Sequence, residues 1–195
     1  MKIGILGGSF DPIHNGHIHM AIASYEQYEL DKIWLMPNGH APHKDEDRMV
    51  KAQHRLDMCN IVAKDYPFID TCDIEVLSDE YSYTYLTMQK LNVLYPEHEF
   101  YFIMGADSLD YFDKWRHPEI ISSLCHILVV NRDEFSEADL CDKIEQIQSI
   151  FPANISIVHC QKYDISSTEI RNGIRLEELP DGVRTYIEEH HLYNW

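Results

Sequence analysis

The apolar run Ile3-Gly4-Ile5-Leu6, followed at once by Gly7-Gly8-Ser9-Phe10-Asp11-Pro12-Ile13-His14-Asn15-Gly16-His17, constrains this chain more than any other stretch. A short apolar run ending in paired glycines reads as a buried strand that feeds a tight turn. From Gly16 onward, Ile18, Ala21, Ile22 and Tyr25 recur at helical spacing, so a helix over 16–30 follows the turn. A junction of this kind suits an anion. The glycines let a ligand approach the backbone, and the helix start offers unpaired N–H groups and a positive dipole end. His14 and His17 stand one helical turn apart, so both can donate to the same phosphate. The segment lacks the Gly-Lys-Ser/Thr of a P-loop and the G-x-G-x-x-G of a dinucleotide fingerprint. A tight turn with two surface histidines is the plain structural alternative.

The same alternation runs along the 195 residues. Strands are predicted at 2–7, 32–37, 68–76, 99–104, 126–130 and 155–159. Helices are predicted at 48–64, at 84–94, briefly after Gly105, at 136–150, and from 166 onward with a break at Pro180. Strands separated by helices imply an α/β domain with a mostly parallel sheet covered on both faces. We expect one domain, 1–195, whose portion from about 166 is helical. In such sheets ligands bind beyond the carboxyl ends of the strands. Each candidate motif falls just after a predicted strand.

Composition narrows the functions open to such a fold. With 45% hydrophobic residues the chain can fill a real core. No stretch approaches the roughly 18 apolar residues of a membrane span, and the first apolar run is too short for a signal peptide. A cytoplasmic protein with no membrane partner is therefore expected. The cysteines at 59, 72, 125, 141 and 160 are scattered without a C-x-x-C pair and read as reduced thiols. A net charge of −17 argues against nucleic acid as a partner, because affinity for it rests on neutralising phosphates. Any phosphate site must then be local, with donors and cations gathered there and acid spread over the outside. Homo-oligomerisation is left open.

Four further segments can carry chemistry. Asn38-Gly39-His40-Ala41-Pro42-His43-Lys44 forms a loop able to fold over a ligand, with Lys44 as a mobile cation; a plain surface loop is the alternative. The histidines at 14, 17, 19, 40 and 43 lack zinc-site spacing, so no resident metal is expected. Ser82-Tyr83-Thr84 stands at a helix start, where Ser82 or Thr84 can cap the helix or help receive a carboxylate. Gly105-Ala106-Asp107-Ser108 leads on to Trp115 and Arg116. Asp107 can accept from sugar hydroxyls or cap a helix, and Trp115 can stack on an aromatic ring or sit in the core. Ser166-Ser167-Thr168-Glu169-Ile170-Arg171 fits a capping box through Ser166 and Glu169. Its hydroxyls and Arg171 also suit a polyphosphate.

Together these motifs resemble the bacterial nicotinate-mononucleotide adenylyltransferases of the nucleotidylyltransferase superfamily. The likeness runs almost end to end: G-G-S-F-D-P-I-H-x-G-H, the P-H-K loop, Arg55-Leu56-x-Met58, S-Y-T, G-A-D-S-L-x-x-F-x-x-W and I-S-S-T-x-I-R. The first and last motifs are shared across the superfamily, whereas S-Y-T and G-A-D-S with its Trp belong to the pyridine-nucleotide branch. The resemblance implies a Rossmann-like, doubly wound fold. It also implies that ATP and nicotinate mononucleotide are joined to nicotinate adenine dinucleotide, with release of pyrophosphate, in NAD biosynthesis. It implies an ATP site made by Gly8, Ser9, Phe10, His14, His17, Asp107, Ser166, Ser167, Thr168 and Arg171. His14, His17, Lys44 and Arg171 are then the expected catalytic set. On the acceptor side it implies Lys44, Ser82, Tyr83, Thr84, Asp107, Trp115 and Arg132, with the nicotinate ring on Trp115 and its carboxylate near Thr84. Mg²⁺ is expected to arrive with ATP.

Two departures from the family pattern bear on this reading. Ala41 stands where the loop would carry a second proline, which removes a rigid residue. Asn131-Arg132-Asp133-Glu134 stands where an Arg-Pro-Gly turn is expected, which alters how Arg132 is presented. Three other readings stay open on the sequence: a different acceptor (nicotinamide mononucleotide or phosphopantetheine), a nucleotide-binding regulatory module without turnover, and a metal protein using the histidine cluster.

Overall fold

The computed structural model describes residues 1–40, 49–131, 135–161 and 163–195. Within them six strands, β1 (Lys2–Gly8), β2 (Lys32–Pro37), β3 (Ile69–Thr71), β4 (Glu99–Gly105), β5 (His126–Asn131) and β6 (Ile155–His159), form one all-parallel sheet. Parallel neighbours need crossovers, and helices supply them: α1 (Asn15–Gln27), α2 (Ala52–Asp65), α3 (Thr84–Leu94), α4 (Ala106–Leu109), α5 (Pro118–Leu124), α6 (Glu137–Ile150), α7 (Ser167–Arg171) and α8 (Asp181–Glu189).

Side chains alternate across a strand, so each central strand feeds two cores. Ile3, Ile5, Phe100, Phe102, Ile127 and Val129 pack with Met88 and Leu91 of α3, Ile121 of α5 and Ile144 and Ile147 of α6. Leu6, Tyr101, Ile103, Leu128 and Val130 pack on the other face with Ala21 of α1, Met58 and Val62 of α2, Ile170 of α7 and Val183 and Ile187 of α8. The fold is thus the doubly wound α/β sandwich expected. Its helical last portion shares a core with α1 and α2.

Three differences from the sequence reading have physical causes. The strand expected over 68–76 is only Ile69–Thr71. Beyond Cys72, bonds from Leu77 N–H to Asp73 O (3.0 Å) and from Ser78 N–H to Glu75 O (3.2 Å) turn the chain and carry Glu75 inside. The helix expected from 48 starts at Ala52. The α5 helix, seven residues long, was not expected at all, since so short an apolar run carries little period. Pro118 at its first position, after His117 at φ 52°, is the local signal that starts it.

The strand order is β3-β2-β1-β4-β5-β6. The chain winds outward from β1 to β3, then returns to place β4 on the far side of β1. The winding reverses between β1 and β4, and the crossovers on either side diverge there, leaving a crevice at the carboxyl ends of those two strands.

Candidate active site

A cleft of about 470 Å³ occupies that crevice. Gly7 closes its floor from β1, and Met104, Gly105, Asp107 and Ser108 come from β4 and α4. His14, Gly16, His17 and Met20 come from the turn and α1, Trp115 from the following segment, and Ile165, Ser166 and Ser167 from the approach to α7. Stretches about 100 and 150 residues apart in sequence therefore share one wall-to-wall space. Asp107 is the one fixed charge among these lining residues, and neither Lys nor Arg is among them.

His14 is buried and forms the N-cap of α1, with φ −146° and ψ 171°. Its backbone N–H donates to Nδ1 of His17 at 3.2 Å. An accepting Nδ1 carries no proton, so a neutral His17 ring keeps its proton on Nε2, which makes that nitrogen the ring's donor. The two imidazoles lie 3.8 Å apart between centroids, and the buried Phe10 ring meets His17 edge-on at 5.1 Å. Phe10 therefore supports His17 from the core side. Gly16 permits the close approach of α1 to the α7 segment: a Cβ there would stand 2.8 Å from Cγ2 of Ile165.

Four carbonyls along the turn before α1 each have a donor. Gly8 O accepts from Asn38 N–H at 2.9 Å, Ser9 O from Nη1 of Arg55 at 2.6 Å, Asp11 O from Nη1 of Arg171 at 2.7 Å, and Pro12 O from the Ser167 hydroxyl at 2.9 Å. Arg55 is only 2% exposed and also donates to Val50 O, Asn38 O and Asn38 Oδ1 at 2.7 to 3.0 Å. One guanidinium thus fastens the glycine turn to the loop after β2 and the entry to α2. Asp11, equally buried, accepts from the Tyr193 hydroxyl at 2.7 Å. Burial, with the Asp11 charge beside it, holds ionisation of that phenol far above its ordinary range.

The α7 segment both caps its helix and faces the cleft. Ser166 accepts from Glu169 N–H at 3.2 Å while Glu169 accepts from Ser166 N–H at 2.9 Å, completing the expected capping box. Ser167 lines the cleft, and Thr168 accepts from Nη2 of Arg171 at 3.0 Å, which orients that half-buried guanidinium. Asp107 does not cap α4. Gly105 is the N-cap, and the Asp107 carboxylate folds back so closely that a Cβ on Gly105 would lie 2.4 Å from it. Trp115 is half-buried, between the core and the cleft. Its ring packs edge-on against Phe112 (5.4 Å) and Phe102 (6.2 Å), and the rest of it lines the cleft.

Neither Ser82 nor Thr84 caps α3; Tyr83 is the N-cap, with no side-chain bond. The Ser82 oxygen is taken by Gly39 N–H at 3.1 Å, and its hydroxyl bonds the buried Glu75 carboxylate, which also accepts from Thr87 at 2.7 Å. Burial pushes the Glu75 carboxyl above its ordinary value despite those bonds. Gly39 is required there, since a Cβ would fall 2.1 Å from Glu75 O. The N–H groups of Thr84 and Tyr85 have no acceptor among the described residues. Beside them the Arg116 guanidinium lies 4.6 Å over the Tyr83 ring. Lys44 and Arg132 lie outside the described residues, as do Ala41, Pro42 and His43. Gly8, Ser9 and Phe10 shape the turn without lining the cleft.

Sequence reasoning gave no role to Asp11, Arg55 or Tyr193. An arginine among Leu56, Met58, Cys59 and Val62, on the buried face of α2, is the signal that could have found the second of them.

The family model described as "Cytidylyltransferase-like" matches residues 5–173. Two relatives carry the name "Probable nicotinate-nucleotide adenylyltransferase". That of Shewanella pealeana is 40% identical over 208 residues, covering 99% of this chain and 96% of its own. That of Lachnoclostridium phytofermentans is 33% identical, covering 98% of each. Among solved structures, Plasmodium falciparum nicotinic acid mononucleotide adenylyltransferase complexed with NaAD superposes with a TM-score of 0.79 at 23% identity, over 98% of this chain and 97% of that one. At that identity the likeness is one of fold. The relatives and the family model together decide membership: the chain belongs to the cytidylyltransferase-like family and, within it, to the nicotinate-nucleotide adenylyltransferases.

Proposed function

We propose that this protein joins ATP and nicotinate mononucleotide, forming nicotinate adenine dinucleotide and releasing pyrophosphate, as a step of NAD biosynthesis in the cytoplasm. The observation that carries the reading is the shared cleft, with His14 and His17 on one wall, Ser166 and Ser167 on the next, and Asp107 and Trp115 opposite the glycine turn. The triphosphate is read against the histidines, the hydroxyls of 166–168 and Arg171. Asp107 is read on a ribose hydroxyl and Trp115 under the nicotinate ring. Support for an acid over an amide comes from the unbonded N–H groups of Thr84 and Tyr85 beside the Arg116 guanidinium. Lys44 and Arg132 are proposed to reach phosphate and acceptor.

The attacking oxygen belongs to the mononucleotide phosphate, an anion at neutral pH, so no side chain has to remove a proton. It attacks the α-phosphorus in line. The bond from that phosphorus to the oxygen bridging toward the β-phosphorus breaks, and its electron pair leaves with pyrophosphate. Catalysis is then positioning plus stabilisation of charge on the α-phosphate and the leaving group. His17, donating from Nε2 as a neutral ring, performs this without a proton transfer. Mg²⁺ is read as part of the MgATP substrate, and Asp107 is the only carboxylate on the described cleft wall to meet it.

Pyrophosphate release tests the reading, measured with ATP and, in turn, nicotinate mononucleotide, its amide and phosphopantetheine. Nicotinate mononucleotide is expected to give the highest kcat/KM, by roughly tenfold or more, as befits loss of one charge-assisted contact. A higher value for either rival reassigns the acceptor. No release with any of them, but binding of ATP, leaves a nucleotide-binding module.

A further inference from the structure

The two carboxylate oxygens of buried Asp11 are held by different parts of the chain. Oδ1 accepts from the Tyr193 hydroxyl at 2.7 Å and from Val50 N–H at 3.3 Å. Oδ2 stands 3.7 Å from Nη1 of Arg171, and that same Nη1 donates to the Asp11 backbone oxygen at 2.7 Å. Nη2 of Arg171 donates to Thr168. A guanidinium has five N–H donors. These bonds fix the plane of Arg171 and leave it donors for another acceptor.

We propose that Tyr193 is a positioning residue for the triphosphate: by holding the Asp11 carboxylate through Oδ1, it keeps that carboxylate from closing on Arg171. The proposal rests on the reading above, that the cleft takes ATP. Carboxylate and triphosphate are rivals for the same guanidinium. A direct charge-assisted pair between Asp11 and Arg171 would close to about 2.8 Å, well inside the 3.7 Å observed. The hydroxyl of Tyr193 and the Val50 N–H both pull on the oxygen remote from Arg171, and the hydroxyl bond is the shorter of the two. The phenol stays a neutral donor, because burial and the Asp11 charge suppress its ionisation. Its ring is placed independently of its hydroxyl, lying 14° from parallel with Trp195 at 6.4 Å. The same side chain of Trp195 covers Gly173 just after α7. Phenylalanine at 193 therefore keeps the packing and loses the restraint.

The test is Tyr193→Phe in the full chain, with ATP alone titrated by calorimetry and KM measured for both substrates. The Kd and KM for ATP are expected to rise about 5- to 10-fold, the net worth of one ordinary hydrogen bond. The KM for the mononucleotide and the Tm should hold. Adding Asp11→Asn to that variant removes the rival charge while keeping an oxygen for Val50, so ATP affinity should return to within about twofold of the parent. Purely structural bracing by Tyr193 cannot give that rescue. Unchanged ATP affinity in Tyr193→Phe, an equal rise in both KM values, or weaker binding in the double variant than in the single would overturn the proposal. If the double variant does not fold, the calorimetric ratio for Tyr193→Phe decides alone. Failure of the parent to bind ATP is a separate result, which removes the function reading and this proposal with it.

Discussion

The backbone N–H of His14, 3.2 Å from Nδ1 of His17, decides which nitrogen of that ring keeps a proton. The spacing of the two histidines was legible in the sequence, because one helical turn is a fixed distance. The tautomer was not, because it depends on the extended backbone that His14 adopts as an N-cap. His17→Ala is expected to lower kcat by roughly 10²–10³-fold, the range for loss of one preorganised donor to transition-state charge. The Tm should change little, since His17 is only half-buried. A variant with near-parental turnover would remove His17 from the machinery. Trp115 teaches a related lesson. Sequence posed core and cleft as alternatives, yet one indole packs against Phe112 and lines the cleft as well.

At the scale of elements, the motifs after β1, β2 and β4 were readable because those strands end in glycine or proline after an apolar run, whereas Ser82-Tyr83-Thr84 and Ser166 lie well beyond the unmarked ends of β3 and β6. What joins one element to another was not readable. Gly39, Ser82 and Glu75 tie the loop after β2 to the start of α3 through contacts between residues over 30 positions apart. The Glu75 carboxyl titrates above its ordinary 4.5 in the folded protein because it is buried. The native state thus holds a proton that the unfolded chain has already lost. Stability accordingly falls as pH rises from about 4.5 through the native pKa, then levels off. Glu75→Gln removes that fall and keeps an acceptor for Thr87. The Tm of the variant relative to the parent should therefore climb across the same window in melts from about pH 4 to 8. Parallel curves would mean that the carboxyl is not held up by burial.

For the whole molecule, the alternation of strands and helices fixed the class of fold, and the two cores follow from it. The placement of the last helices did not follow, since nothing in the pattern of α8 says which face of the sheet it covers. Val183 and Ile187 share a core with Ile18, Met58 and Val62, so α8 should not unfold on its own. Ile187→Ala is expected to cost about 2–5 kcal/mol and to shift one calorimetric transition rather than split it. A separate early transition would make the portion from 166 onward its own unit.

The engaged carbonyls of Gly8, Ser9, Asp11 and Pro12 have a consequence for how this acidic protein meets its surroundings. With those oxygens occupied and no Lys or Arg among the described lining residues, the cleft wall itself offers N–H dipoles and imidazole, and the Arg171 guanidinium stands behind it. Dipolar pull fades faster with distance than the pull of a full charge, whereas the −17 surplus repels polyanions out to about a Debye length, some 8 Å at physiological salt. Capture then begins only once a slim guest has slipped past the rim. A bulky polyanion such as a duplex is expected to meet that repulsion over a far larger area than a mononucleotide does.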